Sequence, residues 1–325
     1  MKKNPGLFIF LISLGFIFFE SQALCQAKTN VSITPEFGFI NGKIIENVWY
    51  VEKSETQDEI TLTATDPMSR LDWQMKNSMY YGLSFDFCLN ELFKFSFGFK
   101  NANSYNCGIM EDYDWLNPID WPDDDKDELT NYSIHTNHLN NYGYADFSLG
   151  LMFFLDKNKN ISLTPSLGLE MENYSFVGIG GWKTYKKDNW KKYSFEDKKV
   201  ISYSQNYYAP VLSLEADFNY AKHFETTLKL DASWIKQIDC MDIHHAKNAQ
   251  YNDRIQNAWK FGGNIGMYYK INQMHKLGLK GNIAYIPPAY GFTYGSTTST
   301  SPDTSSLGGT SRLLWNYSFV YVFSF

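Results

Sequence analysis

Phe93, Phe95, Phe97 and Phe99 alternate with Lys94, Ser96, Gly98 and Lys100 along Leu92–Lys100. A period of two is the mark of a strand, because successive side chains leave an extended backbone on opposite faces. The pattern returns in Leu212, Leu214, Ala216, Phe218 and Tyr220, and in Leu228, Leu230, Ala232 and Trp234. It returns again from Leu313 and Trp315 through Tyr317, Phe319, Tyr321 and Phe323 to Phe325. Every such stretch has one apolar and one polar face. A soluble sandwich would bury the apolar face; three features favour the inverse, with that face outward against lipid. The stretches are long for sandwich strands but suit tilted membrane spans. The polar face carries full charges (Lys94, Lys100, Glu215, Asp217), as a watery lumen permits. The last strand ends on an aromatic, Phe325, as outer-membrane barrels do.

Short polar breaks near Asn90–Glu91, Asp156–Asn160, Ala221–His223 and Asn272–His275 alternate with longer polar stretches. The longer ones are Glu52–Glu59, Tyr113–Asn140, Trp182–Lys198, Ile243–Asn257 and Thr293–Gly308. The alternation predicts an all-β, ten-stranded antiparallel transmembrane β-barrel, with short periplasmic turns and long extracellular loops. Ahead of it, Lys2 and Lys3, the apolar run Leu7–Phe19 and small residues up to Ala27 form a signal peptide over 1–27. Residues 28–325 are then a single barrel domain, expected to be a monomer in contact with outer-membrane lipid. An aromatic content of 18% fits girdles at the two lipid boundaries. The net charge of −6 argues against a nucleic-acid partner. Cys88, Cys107 and Cys240 fit neither a disulfide framework nor a zinc pattern.

Two short constellations stand outside the barrel pattern. Met110-Glu111-Asp112-Tyr113-Asp114-Trp115 lies where the third strand meets the second long loop, and Asp239-Cys240-Met241-Asp242-Ile243-His244-His245 where the seventh meets the fourth. Both belong to the same barrel end. A spacing of two aims Asp112 and Asp114 at one face, and likewise Asp242 and His244. Parity carries the first pair into the lumen. The second pair reaches it only if a β-bulge intervenes between Trp234 and Asp242. Spacing alone leaves solvated rim acids and a divalent-metal site as alternatives; no Gly-x-Ser-x-Gly element supports a nucleophilic triad.

These residues also carry a family resemblance. Ile33-Thr34-Pro35, Ser69-Arg70-Leu71-Asp72-Trp73, Asp112-Tyr113-Asp114-Trp115, Tyr174-Ser175-Phe176 and Asp242-Ile243-His244, in that order, resemble the omptin outer-membrane endoproteases. The resemblance implies a catalytic set of Asp112, Asp114, Asp242 and His244, with His244 as general base oriented by Asp242, and no metal or other cofactor. It implies peptide or protein substrates cut beside basic residues, which Glu46 and Asp239 would bind, with Cys240 the alternative to Asp239. It places the active site on the extracellular side. At positions where relatives hold lipopolysaccharide with cations, this chain has Asn173 and Asn206. A non-catalytic surface barrel, acting as an adhesin or binding protein, is the alternative.

Overall fold

The computed structural model describes residues 29–55, 60–116, 128–294 and 306–325; the predicted signal peptide 1–27 and residues 295–305 of the last long loop lie outside them. Ten long strands form one wall: β1 (Thr29–Glu55), β2 (Ile60–Leu89), β3 (Phe93–Ser104, resuming as Ile109–Asp114), β4 (Asn131–Leu151), β5 (Ile161–Tyr185), β6 (Lys199–Ala221), β7 (Phe224–His244), β8 (Ala249–Lys270), β9 (His275–Tyr294) and β10 (Ser306–Ser324). Chain neighbours pair antiparallel, and β10 returns to β1 with Ser318 opposite Gly38, so the sheet closes without a free edge.

The alternation dictates which face looks outward. Leu228, Leu230 and Trp234 on β7, Trp259, Phe261, Ile265, Met267 and Tyr269 on β8, and Trp315 and Phe319 on β10 are all exposed. On β7 this belt runs from Phe224 to Trp234, about the 9–11 residues that a tilted strand needs to cross a bilayer. So large a continuous apolar surface belongs in lipid.

Strands run well past the belt at the end where the long connections lie, called here the loop end. The predicted loop Ile243–Asn257 is strand on both sides of a tight turn at residues 245–248, and Asn131–Asn140 belongs to β4. Above the belt neither face of a strand meets lipid. The apolar half of the alternation vanishes there, and a polar strand reads as a loop.

Three layers fill the lumen. At the opposite, turn end lies a cavity of about 480 Å³ lined by charged side chains, among them Glu36, Lys94, Asp146, Glu215 and Lys229. Above it Arg312 bonds Glu172 at 2.9 Å and Lys260 bonds Glu170 at 2.7 Å, all four buried. Next comes an apolar plug in which Trp73 stacks between Phe176 and Tyr203, with Ile44, Met75, Ile235, Ile238 and Ile255 around them. The candidate site stands on this plug.

Candidate active site

The upper segment of β3 sits between β2 and β4, with Asp112 opposite Leu71 on one side and Ser133 on the other. Met110 is fully buried, and Asp112, two residues on, shares its lumen-facing side. Asp112 Oδ1 is sealed from solvent with no hydrogen-bond partner. Asp114 follows on the same face, half-buried, and its Oδ2 accepts from Asn131 Nδ2 at 3.3 Å.

On β7, a bulge performs the required turn. Its pairing with β6 slips between Ser233 and Ile238. Trp234 is exposed and Ile235 buried; Lys236 and Gln237 are both exposed, and Ile238 is buried again. Ile238, Cys240, Asp242 and His244 therefore face the lumen. The same slip corrects the expectation for Asp239, which is exposed on the outer face and accepts from Gln237 Nε2 at 2.6 Å. Cys240 takes the inward position. His245 also lies off the groove, its Nε2 within 2.9 Å of Ser202 Oγ.

His244 Nε2 lies 2.6 Å from Asp242 Oδ2, and the edge of Tyr251 meets the imidazole at 5.7 Å between ring centres. A carboxylate can only accept here, so Nε2 carries the proton and Nδ1 keeps its lone pair in the neutral ring. Glu46, from β1, is buried on the plug with Oε2 unpartnered.

These groups stand beyond the lipid belt and act on one another across the groove. Burial, reinforced by the charge of Asp114, pushes the Asp112 carboxyl up to about 8, against the pull of His244 and Lys247. Burial works to lower the His244 pKa, yet the hydrogen bond and charge of Asp242, with the charge of Asp112, raise it above its ordinary value. Glu46 is held well above the carboxylate range by burial and by the charges of Asp242, Asp253 and Asp112. An acid and an imidazole that act on each other across a groove can hold and deprotonate a water molecule.

Two features escaped the sequence reading. Ser133, opposite Asp112, places Oγ 2.9 Å from His135 Nε2, while His135 Nδ1 donates to the Gly180 carbonyl at 2.5 Å. Its only sequence signal is a Ser-x-His spacing in a stretch read as loop. Asp253, buried on β8, is a lone acid in another such stretch and gives no signal.

On the outer wall, Asn173 and Asn206 are cross-strand neighbours, and the Asn141 amide donates to Asn173. Neutral amides, not cations, form this row.

Comparison with known proteins agrees with the fold. The omptin family model matches residues 27–320. The plasminogen activator of Yersinia pestis is 23% identical over 253 residues, spanning 74% of this chain and 75% of the relative. The crystal structure of the outer membrane protease OmpT from Escherichia coli superposes with a TM-score of 0.75 at 18% identity, covering 91% of this chain and 97% of OmpT. This chain belongs to the omptin family.

Proposed function

We propose that the loop end faces outward from the cell and hydrolyses peptide bonds in peptide or protein substrates, beside basic residues. The observation that carries this reading is the 2.6 Å Asp242–His244 bond on a shelf opposite Asp112. His244 Nδ1, with its lone pair free, takes a proton from a water molecule held against Asp112. The resulting hydroxide attacks the scissile carbonyl. Asp242 stabilises the imidazolium, which then returns its proton to the leaving amine. With its carboxyl pushed up to about 8, Asp112 carries a proton near neutral pH and can hold the water by donating or accepting a hydrogen bond. Asp114 shapes the shelf beside it. No side chain becomes covalently attached. The barrel closes on its own first and last strands, so a monomer in outer-membrane lipid suffices.

A second reading has one observation in its favour: Ser133 is hydrogen-bonded to His135 in the sense a nucleophile needs. Against it, the other ring nitrogen of His135 meets a carbonyl rather than a carboxylate, and burial holds this imidazole below its ordinary value. The test is cleavage of a fluorogenic peptide containing an Arg-Arg bond by refolded protein and its variants. His244→Ala should lose at least ~10²-fold in kcat, the scale of a general base, while Ser133→Ala keeps most of it. Loss confined to Ser133→Ala would transfer the chemistry to that pair. Absence of turnover by the folded wild type would favour an adhesin or binding role.

A further inference from the structure

Cys240 and Asp253 face each other in register across β7 and β8. The inward position on β7 thus holds a thiol, and a buried carboxylate stands one strand away. Asp253 is buried; Thr293, its register partner on β9, donates to Oδ1 at 2.8 Å. The side chain reaches across β9 to β10. A methyl group placed on Gly308 would sit 2.2 Å from Asp253 Cγ and within 2.5 Å of both its oxygens, so the carboxylate rests on bare backbone. Gly308 in turn pairs with Val48 on β1, the strand that carries Glu46. The charge of Asp253 acts on both Glu46 and the Cys240 thiol.

Glu46 is 2% exposed, and its Oε2 has no partner. Among the described residues no Lys or Arg forms an ion pair with Glu46 or Asp253, although Glu36, Glu170, Glu172, Glu215 and Glu225 deeper in the lumen each have one. Two buried acids with no cation beside them ionise only at a cost, which a cation brought by a substrate would remove. A metal ion is the poorer fit, because among the described residues no three His, Cys, Asp or Glu side chains converge as ligands. A guanidinium or ammonium on a flexible stem can span two separated carboxylates.

We propose that Asp253 is a specificity residue: with Glu46 it forms a two-acid pocket for the cationic side chain beside the cleaved bond, floored by the neutral Cys240. This assignment rests on the protease reading. It puts the second acid of the pocket on β8, facing the Cys240 thiol of β7.

The experiment compares two fluorogenic peptides that differ only by Arg or its neutral isostere citrulline at the residue preceding the scissile bond. Wild type should prefer Arg. Asp253→Asn should lower the Arg-to-citrulline ratio of kcat/KM by at least ~10-fold, the scale of one charge-assisted hydrogen bond. Most of that loss should appear in KM. The double variant Asp253→Asn/Cys240→Asp hands the carboxylate to the facing strand and should recover most of the ratio, a rescue that a purely structural role for Asp253 would not give. Heat-modifiable migration on gels confirms that each variant is folded. An unchanged ratio in folded Asp253→Asn overturns the assignment, as does a loss that Cys240→Asp fails to restore. Wild type that cleaves neither peptide refutes the protease reading itself, and with it this pocket. Cleavage that needs an added divalent metal, and ceases with chelator, would replace the organic cation by a metal and overturn the proposal.

Discussion

Glu172 and Glu46 are both lumen-facing carboxylates sealed from solvent, but their surroundings are opposite. Glu172, in the middle layer, accepts hydrogen bonds from Arg312, Tyr174 and Tyr207, and Lys260 stands 3.6 Å away. Glu46, on top of the plug, has an oxygen with no partner and is surrounded by the charges of Asp242, Asp253 and Asp112. Burial is equal; compensation is not. A buried charge that is paired adds little net stability but is costly to unpair. A buried acid left unpaired raises the free energy of the empty protein and is retained when something cationic comes to it. The middle layer thus serves as scaffold, while the upper one holds its acids under electrostatic strain, as the proposed binding surface would.

The largest effect expected from this contrast lies in the middle layer. Arg312→Met leaves Glu172 without its guanidinium and should cost about 3–5 kcal/mol, the usual result of removing one partner from a buried pair. Urea unfolding of the micelle-bound barrel measures it. A cost below about 1 kcal/mol would mean that the lumen is wet enough to solvate Glu172 and that the two layers differ little.

The upper layer should respond with the opposite sign. Burial pushes the Asp253 carboxyl up to about 7, the Thr293 hydrogen bond working against that and the Asp242 charge with it. The unfolded value is near 3.9. A raised carboxyl contributes stability that is complete below the unfolded value and lost as pH rises through the folded one. Asp253→Asn removes that loss. The variant should therefore unfold roughly 2–6 °C above wild type at pH 8, with the gap closing between pH 7 and pH 4. A gap that is constant with pH would point to packing rather than charge.

How far these layers were legible in the sequence follows the lipid. Wherever one strand face meets the bilayer, as in Phe93–Phe99 or Leu313–Phe325, composition alternates sharply and the barrel can be read directly. Above the belt the alternation fades, so Asn131–Asn140 and most of Ile243–Asn257 pass for loops, and Ser133, His135 and Asp253 pass unnoticed with them. Parity survived the break in β3 and carried Asp112 inward. On β7 parity alone points the wrong way, and only the bulge between Ser233 and Ile238 reconciles Trp234 on the lipid with Asp242 in the groove. The same bulge decides Asp239. Its spacing from Asp242 is three, an odd number, so the two side chains leave the strand on opposite faces. Asp253 illustrates a different limit: its relation to Cys240 is a register between strands, which no single-strand pattern records.

In the proposed mechanism, a hydrolytic His244 groove selects its bond through acids that no cation pairs. Mapping of cleavage sites by mass spectrometry, on one unfolded protein treated with wild type and with His244→Ala, tests it most directly. Wild type should cut at bonds next to Lys or Arg, and those cuts should disappear with His244→Ala. Cuts that persist in the variant, or that fall without regard to basic residues, would contradict it.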